Sequence, residues 1–268
     1  MPIALRRPVV PPSDFQTKVL KLLADQRTPQ SHVAGGLALN LAFARYSIDI
    51  DIFHDVASEV AEAAERDAEV LSAAGLTVTW LKEARTFRSA RVTGPEGETV
   101  LDWAMDSEFR FFPTEPDSLL GWRLHPFDLA TNKALAAAAR REPRDTVDLL
   151  TIHDNLYPLG AVVWAAVAKD PGYTPLSLLD MIGRFARYRD EDLARVRLGV
   201  AIGAAEMSQR IKAAIEDAAR FVEAMPSDRA GLMFLKDGQV VQPDPAHLDD
   251  YIAQDATRRG VLPVIIDP

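Results

Sequence analysis

The stretch GGLALNLAFARYSIDIDIF, residues 35–53, contains the pattern that decides the fold. A short β-prone segment, SHVA at residues 31–34, ends where the two glycines at residues 35 and 36 begin. Residues 37–46 have the composition of a helix. The next segment, residues 47–53, alternates polar and apolar side chains up to residue 52, which is typical of a half-buried strand. The order strand, glycine turn, helix and strand predicts an α/β arrangement.

The alternation places Ser47, Asp49 and Asp51 on one face of the second strand. Two carboxylates this close repel each other, and a divalent cation that prefers oxygen ligands, such as Mg²⁺ or Mn²⁺, relieves the repulsion. The glycine pair Gly35 and Gly36 precedes a helix, where backbone N–H groups and a partial positive charge favour phosphate. The sequence therefore predicts metal ligands beside a phosphate-binding bend.

A third carboxylate is predicted from the strands that follow. Two β-like segments, residues 87–92 and 98–105, flank a Gly-Pro-Glu-Gly turn at residues 94–97 and predict an antiparallel hairpin. Asp102 lies among strand-forming side chains in the second segment and is the candidate third ligand, with Asp106 in reserve. Three such carboxylates would complete a site for two divalent ions.

Beyond Pro113 the composition changes to alanine, leucine and charged residues, and strand signals disappear for about a hundred residues. We expect an α/β (α+β) chain, with a mixed sheet and flanking helices over residues 1–116. A mainly helical domain with a small C-terminal extension is expected over residues 117–268. Its predicted helices cover residues 125–141, 143–155, 158–168, 176–188, 190–204 and 208–224.

Composition and charge limit the classes of function. The net charge of −9 argues against a protein that coats nucleic acid nonspecifically. The absence of cysteine excludes disulfides and thiolate metal sites. No apolar stretch is long enough for a membrane span, and no signal peptide is recognisable, so a soluble, cytoplasmic protein without membrane contact is expected. The run Asp190, Glu191 and Asp192 interrupts the arginines between residues 184 and 197, which favours a salt-bridged surface over an RNA-binding patch.

These motifs resemble those of the polymerase-β-like nucleotidyltransferases, and their form is nearest to the AbiEii/AbiGii toxin type. A second segment, HPFDLATNKALAAAARREPRDTVDLL at residues 125–150, resembles a later motif of the same group, with a lysine on a helix followed by Arg-Asp and Asp-Leu. The residues that carry the first resemblance are Gly35, Gly36, Ala38, Leu39, Arg45, Ser47, Asp49 and Asp51.

The resemblance implies a Mg²⁺-dependent enzyme that moves a nucleoside monophosphate from a nucleoside triphosphate to an acceptor hydroxyl. The acceptor would be a tRNA end or a protein, and a toxin of this type would have an antitoxin partner. Asp148 would support the site. The implied catalytic residues are Asp49, Asp51, Asp102, Lys133 and Asp145, the first three of them as metal ligands. The implied nucleotide-binding residues are Gly35, Gly36, Arg45, Ser47, Lys133 and Arg144.

Two other functions fit the same residues. A noncatalytic module on this fold would bind a nucleotide or a partner without transferring anything, and an aminoglycoside-type nucleotidyltransferase would modify a small molecule. Individual residues also have structural interpretations: Lys133 as a solvated helix lysine, and Arg144 with Asp145 as helix-start residues favoured by the helix dipole.

Overall fold

The computed structural model describes residues 12–40, 45–199 and 201–263. In these ranges the chain forms two compact units. The first contains the described residues up to Glu108 together with Pro113–His125, and the second contains Phe109–Phe112 and the described residues from Pro126 onward. The predicted domain boundary between residues 116 and 117 separates parts that would fold independently. It stays a prediction, because a compact unit need not fold on its own.

The chain alternates strands and helices in its first half and is mainly helical in its second, which confirms the expected fold class. The strands are β1 (Ser31–Ala34), β2 (Asp49–His54), β3 (Thr77–Ala84), β4 (Phe87–Gly94), β5 (Gly97–Met105), β6 (Phe109–Arg110), β7 (Glu115–Asp117), β8 (Gly121–Arg123), β9 (Met233–Lys236), β10 (Gln239–Val241), β11 (Ile252–Gln254) and β12 (Thr257–Arg258). The helices are α1 (Asp14–Leu23), α2 (Gly35–Asn40), α3 (Glu59–Ala73), α4 (Pro126–Ala139), α5 (Pro143–Asn155), α6 (Leu159–Ala166), α7 (Pro175–Phe185), α8 (Asp190–Leu193) and α9 (Ala204–Ala224).

The first unit is built on a seven-stranded mixed sheet in the order β3-β4-β5-β2-β1-β8-β7. Strands β2 and β5 are parallel, as are β1 and β8, and the remaining neighbours are antiparallel. The predicted hairpin is confirmed, because β4 and β5 pair in register down to Gly94 and Gly97. Strand β2 therefore lies at the centre of the sheet, between β5 and β1.

Strand β2 keeps the period of two that its sequence predicts. Ile50 and Ile52 are buried, whereas Asp49 and Asp51 are partly exposed on the other face. Helix α3 packs against β3, β4 and β5, and helix α1 packs against β5 and α3. Burial of one apolar face under these helices leaves the opposite face of β2 for polar chemistry.

The predicted helices over residues 37–46 and 190–204 differ in extent from those of the structure, and the short strands β7 and β8 lie where the sequence predicts no strand. The helix expected over residues 37–46 is described as helix up to Asn40; residues 41–44 of that prediction lie outside the described residues, and residues 45 and 46 are not helical. Of the described residues in the helix expected over 190–204, only α8 and residue 204, the first residue of α9, are helical, whereas residues 194–199 and 201–203 are not. Gly199 and the β-branched Val196 lower the helix propensity of that connection.

In the second unit, Asp128 holds the short segment Phe109–Phe112 against the helices. Its fully buried carboxylate accepts the backbone N–H groups of Phe111 and Phe112 at 2.9 and 3.0 Å. The ammonium group of Lys169 lies 2.7 Å from the same carboxylate and compensates its charge. This cluster gives Asp128, part of the later sequence motif, a structural role.

No helix in the described ranges combines the length and the apolar character that a bilayer crossing requires.

Behind the sheet, a buried polar cluster surrounds Asp67 of α3. The Arg27 guanidinium donates to both Asp67 carboxylate oxygens, at 2.6 and 2.7 Å, and the Trp103 indole donates to Asp67 at 2.7 Å. Neither ring nitrogen of buried His54 has a hydrogen-bond partner. Burial lowers the pKa of His54 to about 4, and the positive charges of Arg27 and Arg66 act in the same direction. His54 is therefore neutral in the folded protein at neutral pH.

We predict that acid destabilises the fold through His54. Its folded pKa is below the unfolded value, so the unfolded chain takes up the proton first and stability is lost as pH falls from about 6.5 towards 4. The His54 contribution to the free energy of unfolding should fall by about 2 kcal/mol between pH 7 and pH 5. Urea unfolding of wild type and His54→Phe at both pH values measures it. An equal loss in the two proteins would contradict the prediction.

Candidate active site

The parallel pairing of β2 with β5 brings three carboxylates together. Asp51 pairs directly with Asp102, and Asp49 lies two residues before Asp51 on the same face. One carboxylate oxygen from each of these three residues, hereafter the triad, lies within 4.8 Å of the other two. All three side chains are partly exposed. The structure thus assembles the three residues that the sequence predicts as metal ligands.

Two hydroxyl groups orient the triad. Ser47 Oγ donates to Asp49 Oδ1 at 2.8 Å, and Ser89 Oγ donates to Asp102 Oδ1 at 2.5 Å. Ser89 is not among the residues predicted from the sequence, although counting back along the hairpin from its glycine turn places it opposite Asp102. Each hydroxyl fixes one carboxylate oxygen, which is the usual role of groups that surround the ligands of a metal ion.

The first glycine of the pair allows the bend to touch the triad. Gly35 has a φ of +68°, and a Cβ atom built on it would lie 1.8 Å from Asp51 Oδ2. Ala34, the preceding residue, pairs with Asp51 across β1 and β2. The position therefore requires glycine both for its left-handed backbone and for the close approach of the carboxylate.

The second glycine makes room for the other predicted nucleotide-binding side chains. A Cβ atom on Gly36 would lie 2.1 Å from a terminal nitrogen of Arg45 and 3.2 Å from Ser47 Oγ. The Arg45 side chain is buried beside the bend. A serine at position 36 would collide with this guanidinium, so Arg45 occupies the space that such a hydroxyl would need.

The triad suits a hard divalent cation. It offers clustered carboxylate oxygens, two of its members are fixed by hydroxyl donors, and Gly35 contributes no side chain that would crowd Asp51. Mg²⁺ and Mn²⁺ take oxygen ligands of this kind. The residues present therefore fit the divalent metal ion that the sequence predicts.

Asp106 and His54 do not join this group. Asp106 follows the end of β5, where its Oδ1 accepts the backbone N–H of Ser107 at 2.7 Å. His54 lies on the buried face of β2, opposite the triad. Proximity in sequence to Asp51 therefore does not bring this imidazole to the carboxylates, because neighbouring positions of a strand can point to opposite sides.

Lys133 and Asp145 meet in a buried ion cluster of the second unit. Lys133 Nζ lies 3.2 Å from Asp145 Oδ1 and 2.9 Å from Asp148 Oδ2, and both aspartates are fully buried. Arg140 Nε donates to Asp145 Oδ2 at 2.8 Å. Lys133 is thus not a solvated helix lysine. The expected contacts of Lys133 and Arg144 to nucleotide, and the catalytic role of Asp145, stay predictions.

Comparison with known proteins gives a structural relative but no relative in sequence. No protein-family model matches the chain, and no curated protein matches it. The solved structure of MenT4, a nucleotidyltransferase toxin from Mycobacterium tuberculosis H37Rv, is similar with a TM-score of 0.51 and 15% identity, over 78% of this chain and 85% of that chain. The chain has the polymerase-β-like nucleotidyltransferase fold.

Cid1 poly(U) polymerase with MgGTP bound also matches, with a TM-score of 0.29 and 14% identity over 80% of this chain and 90% of that one. A cytoplasmic RNA terminal U-transferase matches with a TM-score of 0.27 and 12% identity over the same shares. The position of the triad follows from the strand register of the chain itself.

We predict that Gly35→Ala weakens metal binding by about tenfold or more, because the added methyl group displaces the Asp51 carboxylate. Calorimetric titration with Mn²⁺ measures the affinity. Gly75→Ala is the matched control: Gly75 also has positive φ, at +80°, but its Cβ would meet nothing within 4 Å. Both variants should lose roughly 1–2 kcal/mol of stability from backbone strain. Equal Mn²⁺ affinity in the two variants would refute the close-approach argument.

We predict that Ser89→Ala lowers Mn²⁺ affinity by about tenfold without unfolding the chain, because Asp102 loses a donor that fixes it. The same titration with Ser58→Ala provides the control, since Ser58 is exposed and makes no side-chain cap bond to α3. If Ser89→Ala binds Mn²⁺ as tightly as Ser58→Ala, the hydroxyl does not orient the triad.

Proposed function

We propose that this chain is a metal-dependent nucleotidyltransferase. It transfers a nucleoside monophosphate from a nucleoside triphosphate to an acceptor hydroxyl on RNA, such as a tRNA end, or on a protein. The observation that carries the proposal is the registered pairing of Asp51 with Asp102 beside Asp49 on a nucleotidyltransferase fold. No other group of three acidic or histidine side chains in the described ranges is arranged to hold a metal ion.

The proposed reaction is in-line attack of the acceptor hydroxyl on the α-phosphate, with pyrophosphate as the leaving group. Bound divalent ions would supply Lewis-acid stabilisation of the charge that develops on the phosphate oxygens. The triad would hold these ions, with Ser47 and Ser89 fixing the carboxylates of Asp49 and Asp102. Backbone N–H groups at the glycine bend and the Arg45 guanidinium would face the triphosphate.

The biological setting is part of the same proposal. MenT4, whose fold is similar, is named a nucleotidyltransferase toxin. A toxin function for this chain would bring an antitoxin protein as a partner, and the absence of cysteine suits a reducing, cytoplasmic compartment. The nucleotide-binding roles of Lys133 and Arg144 and the catalytic roles of Lys133 and Asp145 belong to the same proposal.

We expect Asp49→Asn and Asp51→Asn each to lower nucleotide transfer by about 100-fold or more, because each removes a charged ligand while keeping the side-chain shape. The assay incubates the chain with Mg²⁺, each α-labelled nucleoside triphosphate in turn, and separate pools of tRNA, protein and aminoglycosides. Asp106→Asn is the matched control, since Asp106 is acidic and close in sequence to Asp102 but lies outside the triad.

The acceptor screen also separates the alternatives. Label on aminoglycosides alone would identify a small-molecule nucleotidyltransferase. Triphosphate binding that needs no metal and is unchanged in Asp49→Asn and Asp51→Asn, with no transfer to any pool, would contradict the proposal and favour a noncatalytic binding module.

A further inference from the structure

The cross-strand rows that contain the triad continue to the edge of the sheet. Asp102 of β5 pairs with Ser89 of β4, and Ser89 pairs with Lys82 of β3. In the neighbouring row, the β5 residue that pairs with Asp49 also pairs with Arg91 of β4. Directly paired side chains lie on the same face of a sheet. Lys82 and Arg91 therefore project from the face that carries the triad.

An aromatic ring lies beside the first of these cations. The ammonium group of Lys82 lies 5.1 Å from the centre of the Phe87 ring, a cation–π contact that holds the exposed lysine along this face. Arg91 Nε lies 3.9 Å from Glu98 Oε2, and both side chains are more than half exposed. Such an exposed pair contributes little and exchanges readily for another anion. Lys82, Phe87 and Arg91 are called the basic strip below.

The hairpin formed by β3 and β4 has a net charge opposite in sign to that of the whole chain. Residues 77–94 carry four cationic side chains and a single acidic one, Glu83, whereas the whole chain has a net charge of −9. Glu83 forms an ion pair with Arg88, and that pair belongs to the opposite face, where Arg88 lies over the Trp80 ring. The cations on the triad face are therefore not neutralised by Glu83.

On the basis of the nucleotidyltransferase function proposed above, we propose that the basic strip binds the phosphate backbone of a single-stranded RNA whose terminal hydroxyl lies at the triad. Strand β3 is two strands away from β5, which is roughly 10 Å, so a short stretch of RNA would reach from the basic strip to Asp102. Cations with an adjacent aromatic ring are the features that bind single-stranded nucleic acid.

The negative charge elsewhere on the protein favours RNA binding at the basic strip over the rest of the surface. RNA is repelled by an acidic surface and attracted to a local basic one, so binding would be confined to the rows that lead to the triad. A protein acceptor would present a hydroxyl without the regular series of phosphates that a strip of cations matches. The arginines near residue 184 lack this arrangement, since Arg184 pairs with Asp180 on its own helix.

The test is binding of a short fluorescent single-stranded RNA, measured by anisotropy over a range of salt concentrations. We expect Lys82→Gln/Arg91→Gln to bind at least about tenfold more weakly at low salt, with a salt slope reduced by roughly one to two. Lys212→Gln/Arg220→Gln removes the same charge from exposed positions of α9 and should bind within about twofold of wild type. Thermal unfolding checks that both variants are folded.

The outcomes separate the strip from the proposed activity. If wild type transfers nucleotide to RNA and the strip variant shows the same KM for RNA as the α9 variant, the inference is overturned and the activity stands. If only the strip variant loses RNA affinity, but neither wild type nor either variant transfers nucleotide, RNA binding by the basic strip is supported and the proposed function fails. If the strip binds a labelled acidic peptide and not RNA, the inference is overturned in favour of a protein partner.

Discussion

The parallel pairing of β2 with β5 is the constraint on which the rest of the site depends. It places Asp51 directly opposite Asp102, with Asp49 two positions away on the same face. Two unit charges 4–5 Å apart repel by roughly 3–4 kcal/mol at the effective dielectric of a protein surface. The sheet holds the carboxylates together despite this repulsion, and a divalent cation relieves it. Metal affinity is thus a consequence of strand register.

The two faces of β2 have separate roles. On one face the triad meets the glycine bend, where Gly35 leaves space that any larger side chain would fill with atoms overlapping Asp51. On the other face, Ile50 and Ile52 are buried, and the ion pair between Arg27 and Asp67 of α3 is buried as well. The apolar and ion-paired face fixes the strand, and the fixed strand holds the carboxylates of the other face in position.

Local patterns in the sequence predicted much of this arrangement, and long-range pairing accounts for most of what they missed. Alternation placed Asp49 and Asp51 on one face, and the glycine turn predicted the β4–β5 hairpin. The hairpin register would also have given Ser89 its position opposite Asp102. The sequence already favoured Asp102 over Asp106, but the parallel contact of β5 with β2 joins segments about fifty residues apart, so the direct pairing of Asp102 with Asp51 needed the structure.

The most direct measurement is anomalous X-ray scattering from crystals of the chain grown with Mn²⁺ and a nonhydrolysable nucleoside triphosphate. We predict anomalous peaks roughly 2 Å from carboxylate oxygens of Asp49, Asp51 and Asp102, with the triphosphate against the glycine bend. Ordered Mn²⁺ bound only at other carboxylates, or a nucleotide bound away from these three residues, would contradict the central claim that strand register builds the metal site.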